Sequence, residues 1–158
     1  MRMSSIGRIL TPGGWVAAGG ILGAAGAVTM LSILWAEGHW PSSDVAAFLS
    51  SAILGAAATL WPLIWFFGQK GRVGFAWAIL GAVLATAAGS FIGGLILAQI
   101  MAVLDASGTG QSALEILRVA VFCTMVVGTM IVSEPIYVGL PWLMTMVILH
   151  IAMRRMRV

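Results

Sequence analysis

Four long apolar stretches, nearly free of charged residues, constrain the fold of this chain more than any other feature. They run over about 15–36, 45–67, 73–104 and 116–152. Each exceeds the roughly 18 residues that a helix needs to cross about 30 Å of hydrocarbon. None alternates like a barrel strand, and only helices or closed barrels satisfy the backbone in lipid. The sequence therefore predicts an all-α integral membrane protein, a four-transmembrane-helix bundle that forms a single domain over residues 1–158.

Composition excludes the other broad classes of protein. The 158 residues are 61% hydrophobic and 8% charged, whereas a soluble domain is about 45–50% apolar and about 25% charged. Disordered chains combine low hydrophobicity with high charge, and this chain has neither. Cys123 is the single cysteine, which excludes a disulfide framework within the chain.

The cations predict how the chain is oriented. Seven of the eight Lys and Arg residues fall on one side of a four-helix arrangement. Because loops rich in Lys and Arg stay in the cytoplasm, both termini are predicted to be cytoplasmic, in a bacterial inner (plasma) membrane. The net charge of +3 reflects this bias and does not indicate nucleic-acid binding. Three cations near the C-terminus are predicted to contact anionic lipid headgroups: Arg154, Arg155 and Arg157.

The third and fourth stretches are overlong. As helices they would measure about 48 Å and about 55 Å, more than tilt absorbs in a 30 Å core. The excess either projects past the outer face, where another protein must cover it, or lies flat at the interface, or reflects two crossings with a break at Pro135. That five-span alternative would place the C-terminal arginines outside, against the charge rule. Four spans are therefore predicted, with Pro135 and Pro141 kinking the last helix.

Glycines recur four residues apart in the first and third stretches, as Gly19 with Gly23 and Gly89 with Gly93. Rows of small residues let helix backbones approach closely in lipid, where no hydrophobic drive brings helices together. The first and third helices are therefore predicted to pack tightly, against each other or against a second copy of the chain.

Glu134 is the only acidic residue inside an apolar stretch. An ionisable group within the membrane is a functional hypothesis by default, here a proton or cation site beside the backbone break at Pro135. The alternative is a carboxylate close to the outer interface, where water hydrates it. Trp142 and Trp61 also lie deeper in their stretches than an interfacial tryptophan belt would place them.

The sequence contains no pattern of residues that is typical of an enzyme active site. The connections are short, and no Ser-His-Asp or Cys-His order, phosphate-binding loop or pair of carboxylates occurs in them. His39 and His150 fall near opposite membrane faces, and a structural metal site lacks further ligands. The sequence therefore predicts no enzyme activity, no catalytic residue, no cofactor and no metal.

Length, four spans and cytoplasmic termini are similar to those of the small membrane subunits of tripartite (TRAP-type) carriers. The local features that match are Trp35-Ala36-Glu37 after the first span and Leu140-Pro141 in the last. The chain resembles many uncharacterised bacterial four-helix membrane proteins equally well. The resemblance implies a small subunit of a multi-component carrier and carries no individual residue role to this chain.

Two functions are compatible with these features. The first is a non-enzymatic integral membrane subunit that packs against larger membrane partners or forms a homo-oligomer, as the small-residue rows and the overlong apolar hairpin indicate. The alternative is a small transporter or channel, proton- or cation-coupled, that uses Glu134. Replacing Glu134 by Gln separates the two, because only the transporter should lose pH-dependent flux.

Overall fold

The computed structural model describes residues 12–38, 45–59, 63, 65–104 and 112–156. Within those ranges every long regular element is a helix and there is no strand, which confirms the all-α prediction. The elements, in chain order, are α1 (Pro12–Ala36), α2 (Val45–Ala58), α3 (Gly71–Leu104), α4 (Ala113–Ser133), a π-helical turn (Pro135–Gly139, the π turn) and α5 (Leu140–Met156).

Four segments are long and apolar enough to cross a membrane: Ala18–Ala36 in α1, all of α3, all of α4, and Pro135–Arg155. The chain is therefore an integral membrane protein. The division of the sequence among these segments differs from the prediction. The predicted fourth stretch supplies two of the four, and α2, with 14 residues, extends only about 21 Å.

Helix α2 ends earlier than predicted because its last turn tightens at Thr59. The Thr59 N–H and hydroxyl both donate to the carbonyl of Ala56, at 3.2 and 2.7 Å. Bonds over three residues close a 3₁₀-type turn, which seldom continues for long. In the sequence Pro62 follows, and proline supplies no N–H to a helix. The regular helix described within the predicted 45–67 stretch is thus Val45–Ala58.

Helix α3 is overlong, as predicted, at 34 residues or about 51 Å. The predicted fourth helix is not continuous. Pro135 has no N–H to donate to a preceding carbonyl, so α4 ends at Ser133. The N–H groups of Val138 and Gly139 then both donate to the Glu134 carbonyl, at 2.9 and 3.1 Å, which forms the π turn.

The break at Pro135 moves the chain sideways and does not form a hairpin. Helix α4 packs along α3, α5 packs along α1, and the π turn contacts α1, while α4 and α5 make no extended contact with each other. Helix α5 runs antiparallel to α3, since Trp142 at its start contacts Thr86 and His150 near its end contacts Gly68. Two crossings folded at Pro135 would instead pack side by side.

Helix α2 lies between α1 and α3 and contacts both. On the α1 side, Gly23 faces Ile53, and Gly26 faces the backbone of Ala52. Gly19 lies in the same shallow groove, which also includes Ile53 and Ala57. The glycine row of α1 is therefore directed at α2, a partner that the sequence pattern did not identify.

The glycine row of α3 meets the opposite side of α2. Gly55 of α2 lies against the backbone of Gly89 and Gly93, and Ser51 lies against Gly93. Because there is no Cβ on either side of this crossing, the two backbones come into direct contact. Helix α2 thus lies between the glycine row of α1 and the glycine row of α3, and the two rows do not contact each other.

A buried cluster of side chains joins α1, α3 and α5. Gly68, which has a φ of 77°, fits directly against the backbone of Met153, and its N–H donates to Nδ1 of His150 at 3.1 Å. The end of α5 is thereby held next to the start of α3. The buried members of the cluster are Ala18, Leu22, Ala25, Phe67, Ala78, Ala82, Met146, Leu149 and Met153.

Candidate binding cavity

The helices leave a cavity of about 490 Å³ at the centre of the molecule. Helices α1, α2, α3 and α4 form an open arc in which each contacts the next, but α1 and α4 make no extended contact. Helix α5 packs on α1 and closes the arc at one end through Trp142 and Met146, which both line the cavity. Helix packing therefore does not close the cavity on the side between α1 and α4.

Apolar side chains form most of the cavity wall. Ile33 and Leu34 of α1 and Phe122 and Val126 of α4 are among the apolar residues that line the cavity. The deeper wall contains further aliphatic and aromatic side chains and the small residues of α3. These deeper residues include Leu22, Ala25, Phe48, Ala52, Ala85, Gly89, Gly93, Leu97 and Met146.

Four of the described lining residues carry a hydroxyl group, and each hydroxyl donates its hydrogen to a carbonyl of its own helix. The distances to those carbonyls lie between 2.7 and 2.9 Å. A hydroxyl whose hydrogen is used in this way offers only acceptor lone pairs to its surroundings. The wall therefore presents hydrogen-bond acceptors from Thr29, Ser51, Thr86 and Ser90.

Trp142 links α5 to α3 at the cavity wall. Its indole Nε1–H donates to Oγ1 of Thr86 at 2.7 Å, 56 positions earlier in the chain. This bond explains why Trp142 lies deeper than an interfacial tryptophan: the indole has a polar partner inside the bundle. It also fixes the half-buried indole as part of the cavity wall.

Cys123 lines the cavity from α4 and is half-buried. Its neighbours do not form a metal site, because no group of three His, Cys, Asp or Glu side chains comes together in the described part of the chain. As the sole cysteine of the sequence, Cys123 provides a single chemical handle inside the cavity.

Glu37 lies at the rim of the cavity, directly after α1. It is exposed, and its N–H donates to the carbonyl of Ile33 at 3.0 Å. Among the cavity-lining residues that the structure describes, it is the only charged one. In the sequence Glu37 is notable only as part of Trp35-Ala36-Glu37 after the first span. Nothing in the local sequence indicates a site there, since its position depends on how α1 packs.

Glu134, the ionisable residue that the sequence singled out, does not line the cavity. It is half-buried at the break between α4 and the π turn. Its backbone caps α4, donating to the carbonyl of Met130 at 3.0 Å. Within the described ranges no side chain hydrogen-bonds to its carboxylate, so no site is assembled around it.

Four of the five Lys and Arg residues in the described part, all except Arg118, gather at one end of the molecule. Arg154 and Arg155 are exposed in the last turn of α5, and Lys70 and Arg72 are exposed at the start of α3. The contact of Gly68 with the backbone of residues 153 and 154 brings these two groups together. Arg157, the third predicted headgroup contact, lies outside the described residues.

Comparison with known proteins assigns no role to any of these residues: no family model, no curated protein and no solved structure matches this chain. The candidate site is therefore defined by its geometry. Among the described residues it consists of an apolar cavity, four acceptor hydroxyls, the Trp142 indole and one carboxylate at the rim.

Proposed function

We propose that this chain is a non-enzymatic integral membrane protein that binds a small apolar or amphipathic molecule in its central cavity, as part of a transport process. The observation that carries the proposal is the cavity itself. A volume of about 490 Å³ falls in the range of roughly 300–1,000 Å³ that is typical of small-molecule sites, which are mostly apolar with a few placed polar groups.

The opening between α1 and α4 suits a ligand that arrives from the lipid. Both helices also carry exposed apolar side chains, including Leu31 and Trp35 on α1 and Phe122 and Met125 on α4. A molecule dissolved in the hydrocarbon would enter between these helices without crossing the headgroup layer. The hydrophobic effect drives such a molecule from water into the membrane, but it does not drive it from the membrane into the cavity. The affinity of the molecule for the cavity therefore depends on fit and polar contacts.

We further propose that the chain crosses a bacterial inner membrane four times, with both termini in the cytoplasm. In this arrangement the four passages are α1, the α2 segment with the turn after it, α3, and finally α4 together with α5. The common location of Lys70, Arg72, Arg154 and Arg155 at one end supports it, because cationic segments stay cytoplasmic.

The native thiol of Cys123 gives a direct test of binding. In proteoliposomes, a tetrahedral apolar probe such as tetraphenylmethane should slow the alkylation of Cys123 by N-ethylmaleimide. As a control, a Cys123→Ser, Met125→Cys variant carries the thiol on the same helix at a site that is 65% exposed, and its rate should not change. If neither tetraphenylmethane nor a charged analogue of the same shape protects Cys123, the proposal is contradicted.

Filling the cavity should abolish this protection. Val126 lines the cavity, whereas Val132 on the same helix is 79% exposed and does not. Val126→Phe adds volume inside the cavity and should remove the protection of Cys123, while Val132→Phe should leave it intact. Equal protection in both variants would show that the probe binds elsewhere.

A second function, a subunit of a larger membrane complex or homo-oligomer, is favoured by the length of α3. Apolar side chains are exposed near both of its ends, from Val73, 70% exposed, at the start to Leu104, 66% exposed, at the end. That is about 48 Å of helix, against a hydrocarbon core of about 30 Å. One end therefore needs a protein cover, from a membrane partner or a second copy. Native mass spectrometry from nanodiscs tests this, and a lone monomer would contradict it.

A further inference from the structure

We infer that the cavity takes a lipophilic organic cation, with the Glu37 carboxylate at the rim as its counter-charge. This inference rests on the proposed binding function and names the chemical class of its ligand. Three features of the wall support it: the sign of the charge at the rim, the hydrogen-bonding character of the hydroxyls, and the aromatic side chains.

The charge at the rim selects against anions. Glu37 is the one charged side chain among the described residues that line the cavity. The exposed cations Arg154 and Arg155 are at the other end of α5, and Arg118 is not part of the lining. Among the described lining residues, an anionic headgroup would meet a carboxylate and no cation, and an unpaired charge removed from water is costly.

The hydroxyl groups and the indole of the described wall have no hydrogen to spare for a ligand. The hydroxyls of Thr29, Ser51, Thr86 and Ser90 all donate to carbonyls of their own helices, and the Trp142 N–H is taken by Thr86. A ligand that needs donors, such as a phosphate or carboxylate, finds none among these groups. A ligand that carries positive charge or N–H groups faces acceptors only.

Aromatic rings supply the third feature. Phe48 of α2, Phe122 of α4 and Trp142 of α5 all line the cavity. The face of an aromatic ring carries negative charge density and attracts a cation, most strongly for tryptophan, and the attraction increases when water is excluded. A cation with a large apolar surface would use these rings for both packing and electrostatics.

Probes of one shape and different charge test the inference. Tetraphenylphosphonium, tetraphenylmethane and tetraphenylborate are compared for protection of Cys123 from N-ethylmaleimide in proteoliposomes, at matched concentrations in the membrane. The cation should protect at the lowest concentration, the neutral probe at a higher one, and the anion least.

Glu37→Gln should weaken the protection by tetraphenylphosphonium about fivefold and leave the protection by tetraphenylmethane unchanged. An exposed ion pair contributes up to about 1 kcal/mol, and 1.4 kcal/mol corresponds to a tenfold change in binding affinity. Glu115→Gln is the matched control. It removes an exposed carboxylate that does not line the cavity, and glutamine keeps the capping box of α4.

The outcomes separate the two proposals. If the neutral probe and the cation protect equally and Glu37→Gln changes neither, or if the anion protects best, the charge assignment is overturned while the binding function stands. If none of the three probes protects Cys123, the binding function fails and the inference fails with it. Circular dichroism and the unfolding midpoint of each variant exclude misfolding as the cause.

Discussion

One hydrogen bond, from the Trp142 indole N–H to the Thr86 hydroxyl, connects α5 with α3 at the cavity wall. Hydrogen bonds between membrane helices contribute about 0.6 kcal/mol on average and up to about 1.7 kcal/mol. Trp142→Phe, which keeps an aromatic ring but removes the N–H, should lower the free energy of unfolding by about 1 kcal/mol in mixed micelles. A double-mutant cycle with Thr86→Val isolates the bond, and a coupling energy of zero would contradict this role.

Gly55 is a position where a single added methyl group should strongly destabilise the fold. A Cβ there would lie 2.6 Å from the Cα of Gly93, a backbone atom that cannot rotate away. Gly55→Ala should therefore separate α2 from α3 and cost about 1–3 kcal/mol, as overpacking does. Gly20→Ala, where no atom lies within 4 Å of the added Cβ, should cost nothing. Equal unfolding midpoints for the two variants would show that the α2–α3 crossing is looser than described.

Glu134 should be dispensable for binding, although the sequence singles it out. Its carboxylate does not line the cavity, and its backbone caps α4 whatever the side chain. Glu134→Gln should therefore leave the protection of Cys123 by tetraphenylphosphonium within twofold of the parent protein. A loss as large as that expected for Glu37→Gln would instead show that Glu134 contributes to the site.

At the level of elements, Pro135 sets the path of the last two helices. Pro135→Ala restores an N–H that a continuous helix would use, so the variant should straighten the segment. Spin labels on Cys123 and on a cysteine replacing Ile148 would be about 37 Å apart along one straight helix. The parent protein should give a shorter distance, and Pro135→Ala should move it toward that value. Pro141→Ala, in the first turn of α5, is the control and should change nothing.

The helices themselves could largely be predicted from the sequence. Long apolar runs between turn-forming residues predicted 15–36 and 73–104, and the structure has Pro12–Ala36 and Gly71–Leu104. Helix length in lipid follows from hydropathy because the backbone must bond internally. The early end of α2 was not predicted, since the apolar run continues past it. The sideways step after α4 was not predicted either, because it depends on contacts of the π turn with α1.

At the level of the whole molecule, the cavity could not be predicted from the sequence. The glycine rows predicted close packing of the first and third helices but did not reveal that α2 lies between them. The cavity results from this tight packing on one side of α1 and the absence of extended contact with α4 on the other. Residues 33, 37, 123 and 142 come together only through that arrangement, so no local motif marks the site.

The central claim is that the cavity is open to lipid between α1 and α4. It is tested most directly by power-saturation electron paramagnetic resonance of a spin label on the native Cys123, in nanodiscs. A cavity open to lipid should make the label accessible to oxygen and inaccessible to a water-soluble nickel chelate, and tetraphenylphosphonium should reduce the oxygen accessibility. Accessibility to the nickel chelate above that to oxygen, unchanged by tetraphenylphosphonium, would contradict the account.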